Sequence, residues 1–264
     1  MIGIHFFNPV HKMQLVEVVV GKQTHPDVVR RAVRYVQQIG KLPVIVKDSP
    51  GFLVNRILMP YLIEAGHLFE CGARIEDVDQ CMLDFGMPMG PLRLIDEVGL
   101  DVCHHVATDL AAKFSDRMSA PQVLARMMEA GCLGKKNGLG FYTYQKGVKE
   151  PAVNVATDKF HDKTSAAGLS REDLQKRMVF LMVNEAARCV EEGIVSDPAD
   201  VDFGMIMGTG FAPFVGGPLR FADFLGLREL ASEMEFLAAK GETRFAPCAL
   251  LKRLAAEGGK FYAK

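Results

Sequence analysis

The run His5-Phe6-Phe7-Asn8-Pro9-Val10, with Glu17 twelve positions beyond His5, holds the residues whose types and spacing could do chemistry. A carboxylate on one nitrogen of an imidazole fixes a single tautomer and leaves the other nitrogen free to exchange a proton with a substrate. Asn8-Pro9 adds to this, because proline stops a strand and leaves an amide side chain at its carboxyl end, where α/β sheets bind ligands. A lone histidine near a strand end is more often structural than catalytic; a carboxylate opposite it brings the two readings level. Asn55, one turn into the helix after Asp48-Ser49-Pro50-Gly51, is either a polar residue on an exposed helix face or an amide donor aimed at the sheet edge. On residue type alone the first of these is the stronger.

These groups need elements to hold them. Residues 2–7 and 15–20 are short, apolar and rich in β-branched side chains, and they read as strands. Paired antiparallel so that His5 faces Glu17, they leave residues 8–14 as the connecting loop. Residues 24–39 form a helix, with Thr24 and Asp27 as a variant capping box and Pro26 in the first turn. Its buried stripe is Val29, Ala32, Val33 and Val36, and Gly40 ends it. Residues 43–46 are another strand, so the block has the form of the tail of an α/β domain.

From Asp48 onward the pattern is helical. A long helix is predicted over 50–70, with Pro60 as a kink and Gly72 as its stop. Shorter helices are predicted over 75–85, 100–113 and 119–130. Residues 146–168 are polar and aperiodic and read as a linker. Ser170 with Asp173 then caps a second long helix ending at Gly193.

The second half repeats the first. Arg56, Glu64, Glu70 and Gly72 recur at the same spacing as Arg177, Glu185, Glu191 and Gly193. Gly90-Pro91-Leu92-Arg93 with Asp96, Gly99 and Leu100 recurs as Gly217-Pro218-Leu219-Arg220 with Asp223, Gly226 and Leu227. The second copy has no counterpart of the His5-to-Pro9 run, so it repeats a scaffold and not a chemistry.

Composition excludes several classes. A net charge of -1 over 264 residues gives no electrostatic reason to bind nucleic acid or an anionic membrane. The most apolar stretch, 51–69, is broken by Arg56 and Glu64 and reads as a packed helix, not a membrane span. The 6 cysteines form no CxxC pair, which suits reduced thiols and a cytoplasmic location. Two stretches imitate nucleotide motifs. Gly134 to Tyr142 lacks the GxxxxGK[ST] spacing and reads as a basic turn leading into an aromatic plug. In Gly208 to Pro213 a proline replaces the third glycine and no strand precedes. His104-His105 has no ligand at metal spacing, and methionines 82, 87, 89, 205 and 207 read as fillers of core gaps.

The chain resembles the 3-hydroxyacyl-CoA dehydrogenase family. The resemblance lies in HFFNPVHKMQLVEVV (5–19), KDSPGFLVNRILMPYLIEA (47–65), GMPMGPLRLIDEVGLD (86–101) and GKKNGLGFYTY (134–144). In the second half it lies in VNEAARCVEEGIVSDPADVD (183–202) and GTGFAPFVGGPLRFADFLG (208–226). It implies a mainly α fold: the truncated end of a Rossmann-type NAD domain (1–47), a helical dehydrogenase C-terminal domain (48–146), a linker (147–168) and a second copy of the helical domain (169–264). It implies His5 as catalytic base, Glu17 as its partner, Asn8 near the nicotinamide and Asn55 at the acyl thioester. The implied reaction is oxidation of 3-hydroxyacyl-CoA to 3-ketoacyl-CoA with NAD in fatty-acid β-oxidation. The family's glycine-rich NAD loop is expected upstream of His5, so the chain alone is expected to bind NAD poorly and to be inactive. The other function expected is a catalytically incomplete assembly module. The implied partners are an acyl-CoA substrate and a second protomer or a thiolase β subunit.

Overall fold

The computed structural model describes residues 1–161 and 168–262. The chain forms two compact units, one of Met1–Leu58 with Met182–Lys264, the other of Met59–Leu181.

The first unit opens with β1 (Gly3–Phe6) and β2 (Leu15–Val20), followed by α1 (Pro26–Gln38) and β3 (Leu42–Lys47). The sheet order is β1-β2-β3, with β1 antiparallel and β3 parallel to β2. The predicted register is observed, Gly3 opposite Val19 and His5 opposite Glu17. Alternation along β2 explains the two faces: Val16 and Val18 pack with Ala32 and Val36 of α1, so Glu17 between them points to the other face.

The cap of α1 differs from the prediction. His25, not Thr24, is the N-cap, and its Nδ1 accepts from the Asp27 amide at 3.2 Å. Pro26 explains this, since proline at the first helical position makes the preceding residue the cap. Thr24 Oγ1 instead accepts from the Gly21 amide (3.1 Å) and donates to the Met1 carbonyl (2.6 Å).

The long helix α2 (Val54–Glu70) starts four residues later than predicted. Gly51 (φ 73°) and Phe52 (φ 50°) take left-handed backbone, which cannot belong to a right-handed helix, and the Phe52 amide closes a turn on the Ser49 carbonyl at 2.8 Å. Pro60 lies inside α2 and supplies no backbone donor.

The second unit contains α3 (Ile75–Phe85), α4 (Pro91–Val98), α5 (Leu100–Lys113), α6 (Gln122–Glu129) and the antiparallel pair β4 (Tyr142–Thr143) and β5 (Ala152–Val153). Helix α4 lies in a stretch to which no helix was assigned; Pro91 at its first position starts it, since proline there needs no donor. Helix α6 is shorter than predicted because Pro121 serves as its N-cap. Phe141 is fully buried with its ring 5.1 Å from that of Phe69, as an aromatic plug should be. Residues 155–160 form a 3-10 helix capped by Asn154, and of the expected linker residues 162–167 lie outside the described residues.

Helix α7 (Arg171–Glu191) carries the predicted capping box, with Ser170 Oγ accepting from the Asp173 amide and Asp173 Oδ2 from the Ser170 amide, both at 3.1 Å. The first unit then resumes with α8 (Pro198–Thr209), α9 (Pro218–Leu225), α10 (Leu227–Ala239) and α11 (Ala249–Glu257).

Buried carboxylates tie these helices by the same bonds in both units. Asp79 accepts from the Leu92 amide (2.8 Å), the Arg93 amide (3.0 Å) and the Tyr142 hydroxyl (2.7 Å). Asp202 accepts from the Leu219 amide (2.8 Å), the Arg220 amide (3.0 Å) and the Tyr262 hydroxyl (2.6 Å). Asp96 accepts from the Phe141 and Tyr142 amides, and Asp223 from those of Phe261 and Tyr262. Asp79 and Asp202 each satisfy the free N–H groups at the start of a helix, α4 and α9 respectively.

Candidate functional site

β1 and β2 bring the imidazole and the carboxylate together. His5 Nδ1 lies 2.7 Å from Glu17 Oε2. Glu17 is fully buried, whereas the His5 side chain keeps 30% of its surface exposed. Its Nε2 has no partner among the described residues and is free to meet a ligand.

The other oxygen of Glu17 is held just as firmly. Oε1 accepts from the amides of Leu53 (3.1 Å) and Val54 (2.9 Å), at the start of α2. One carboxylate thus braces the histidine and satisfies two of the orphan donors that open a helix, where the dipole is positive. This second role was not legible in the sequence, because it depends on the turn at 49–52 presenting two successive amides.

Two rings flank the imidazole. Phe7 meets it edge-on at 4.8 Å between centroids, and Phe52 lies tilted at 5.3 Å. Behind the turn, Arg56 is fully buried. Its Nε donates to Glu185 Oε1 (2.7 Å), its Nη2 to Glu192 Oε1 (2.8 Å) and its Nη1 to Ser49 Oγ (3.1 Å). Burial disfavours the Arg56 charge, but the hydrogen bonds and charges of Glu192 and Glu185 outweigh it and hold the guanidinium above its ordinary range. The repeat spacing marked Arg56 as the counterpart of Arg177 and Glu185 as that of Glu64; it did not mark Arg56 and Glu185 as partners.

Asn55 is half-buried in the first turn of α2, and Asn8 is exposed beyond β1. Neither side chain makes a hydrogen bond within the described residues, so both amides are available to a ligand. The turn at Gly21–His25, between β2 and α1, is pinned by Thr24 Oγ1 on the Gly21 amide and by His25 Nδ1 on the Asp27 amide. Among the described residues no group of three or more His, Cys, Asp or Glu could hold a metal ion, and no helix is long and apolar enough to cross a membrane.

Known proteins share this sequence pattern and fold. The 3-hydroxyacyl-CoA dehydrogenase C-terminal domain family matches residues 51–144 and again 174–262. The 3-hydroxyacyl-CoA dehydrogenase NAD binding domain family matches residues 1–49. The fatty acid oxidation complex subunit alpha of Shewanella amazonensis is 42% identical over 263 residues, covering 99% of this chain and 37% of its own length. That of Vibrio vulnificus is 42% identical over 262 residues, with the same coverage. The chain therefore spans a little over a third of the length of these curated relatives. Among solved structures, Escherichia coli 3-hydroxybutyryl-CoA dehydrogenase superposes with a TM-score of 0.80 at 27% identity, covering 97% of this chain and 70% of that one. The dehydrogenase part of multifunctional enzyme 1 from C. elegans gives 0.71 at 28%, covering 96% and 59%. With both family domains matched along its length and its fold shared by these dehydrogenases, the chain belongs to the 3-hydroxyacyl-CoA dehydrogenase family.

Proposed function

We propose that this chain takes part in the NAD-dependent oxidation of (S)-3-hydroxyacyl-CoA to 3-ketoacyl-CoA in fatty-acid β-oxidation, with His5 as the base. The observation that carries this reading is the His5–Glu17 contact at 2.7 Å, with Glu17 buried and Nε2 left open. In the oxidative direction Nε2 takes the proton of the substrate's 3-hydroxyl. The imidazolium so formed faces Glu17, whose position is fixed by the amides of Leu53 and Val54. Asn55 lies in the same first turn, where its amide can donate to the thioester carbonyl, and Asn8 beyond β1 is placed to meet the nicotinamide. The cofactor, when bound, supplies the acceptor for the hydride leaving C3.

In this reading residues 1–47 belong to the NAD domain, and residues 48–146 and 169–264 are two copies of one helical domain joined by residues 147–168. The paired carboxylate bonds of Asp79 with Asp202 and of Asp96 with Asp223 support the duplication, as do the two family matches. The partners are an acyl-CoA and, since the relatives are named as subunits of a complex, a second protomer or a thiolase β subunit. The six free cysteines suit the reducing cytoplasm.

The test is acetoacetyl-CoA reduction by NADH, measured for the chain and for the chain joined to an N-terminal nucleotide-binding segment. The expected result is turnover in the joined protein that is lost on His5→Gln. Equal turnover with and without His5 would overturn the assignment.

A further inference from the structure

We infer that Phe52 is a positioning residue: its ring holds the His5 imidazole in the orientation that presents Nδ1 to Glu17 and Nε2 to the ligand. The inference rests on the reading of His5 as base.

Three observations converge on this residue. Phe52 is the one non-glycine residue with positive φ (50°) among the described residues. A bulky side chain is rarely found there, because its Cβ crowds the backbone, and such conformations persist where the surroundings hold them. The turn itself does not call for phenylalanine. Glycine would adopt the same φ freely, as Gly51 beside it does at 73°. What phenylalanine adds is a ring, and that ring lies 5.3 Å from the imidazole at an interplanar angle of 54°.

The backbone strain and the ring contact act on one feature. Residues 52–54 join the ring to the Leu53 and Val54 amides that hold Glu17 Oε1. The turn that brings the Phe52 ring to His5 therefore also fixes the carboxylate that holds the imidazole. Phe7 meets His5 edge-on at 4.8 Å, so the two rings leave the imidazole a narrow range of χ2. Rotation of the imidazole about χ2 would exchange its nitrogen and carbon edges and break the Nδ1–Glu17 bond. The ring of Phe52 stands against that rotation.

The test is nitrogen NMR of the His5 ring in the intact chain, which reports the tautomer without any need for turnover. In the parent protein the spectrum should show a single tautomer with the proton on Nδ1. A parent spectrum without it would sink the dyad itself and not merely the part given to Phe52. Phe52→Leu keeps bulk and the same φ but removes the ring, and Phe52→Gly relieves the backbone. Both should shift the two ring nitrogens toward their exchange-averaged positions, and Phe52→Tyr should restore the parent pattern. If Phe52→Leu and Phe52→Gly fold, as judged by circular dichroism, and keep the parent nitrogen shifts, Phe52 is only a turn residue and the inference fails. Should Phe52→Gly not fold, Phe52→Leu against Phe52→Tyr decides the matter alone.

Discussion

Arg56 Nε donates to Glu185 Oε1 at 2.7 Å across 129 residues of sequence, and both side chains are buried. The reciprocal pair exists in the other unit, where Arg177 Nε donates to Glu64 Oε1 at 2.8 Å. Each unit thus holds one arginine–glutamate pair of the same geometry. Arg56 has in addition Glu192, and it reaches Ser49 in the turn before α2.

Removing one member of such a pair takes from a buried charge one of its counter-charges. Arg56→Met and Glu185→Gln should each lower the free energy of unfolding by about 3–5 kcal/mol, in the range for broken buried ion pairs. Arg56→Met with Glu185→Leu should recover part of that loss. Urea denaturation checks this, and single variants as stable as the parent would show that the pair contributes nothing.

His5→Gln should lower turnover in the joined dehydrogenase by about 10²–10⁴-fold, the usual contribution of a general base. Glu17→Gln should depress kcat more than it raises KM, because the charge it answers develops during the reaction. Steady-state kinetics with acetoacetyl-CoA separates the two effects. A change confined to KM would place Glu17 in binding only.

Gly90 and Gly217 occupy equivalent sites before α4 and α9. A Cβ on Gly90 would sit 2.2 Å from Asp79 Cγ, and one on Gly217 would sit 2.3 Å from Asp202 Cβ. Neither carboxylate can retreat without releasing two helix amides. Gly90→Ala and Gly217→Ala should therefore each cost on the order of 1–3 kcal/mol from overpacking alone, with Gly217 the worse for its φ of 103°. Gly131→Ala, with positive φ but open space around it, isolates the backbone share.

Burial pushes the Asp79 and Asp96 carboxyls each up to about 6, against the pull of the Tyr142 hydroxyl on Asp79 and of the Tyr142 and Phe141 amides on Asp96. In the unfolded chain each titrates near 3.8. Between these values the folded protein holds protons that the unfolded chain has released, so stability from these groups rises as pH falls through the window and is flat above it. Glu70 has burial working against it, but the His67 contact and the Val123 amide hold it below its ordinary value. Its contribution is lost as pH falls below about 4.5. Urea midpoints should therefore rise from pH 7 to about pH 5 before acid unfolding sets in, and Asp96→Asn should flatten the rise. A midpoint that falls steadily over that range would contradict the assignment.

Local features of the fold were readable in the sequence. β-branched runs marked β1 and β2, and Ser170 with Asp173 marked the start of α7. Where the sequence misled, the cause was a residue with two meanings. Pro26 moved a cap by one position, Pro91 began a helix where none was assigned, and Phe52 entered a left-handed turn that its residue type does not announce. Of the candidate site, His5 and Glu17 were legible from their types on adjacent short strands, and the antiparallel register supposed for them is the one observed. The pairing of Arg56 with Glu185 was not, since side chains 129 residues apart leave no trace in local periodicity. The two amides on Glu17 were hidden for the same reason.

The carboxylate of Glu17 has both oxygens committed, one to the ring and one to the opening of α2, and Asn55 follows directly in that helix. If Asn55 holds the thioester as proposed, a docking acyl group would bear on the same turn whose amides fix the acid, and through it on the imidazole. Acyl binding and proton uptake by His5 would then be coupled, each favouring the other to the same degree.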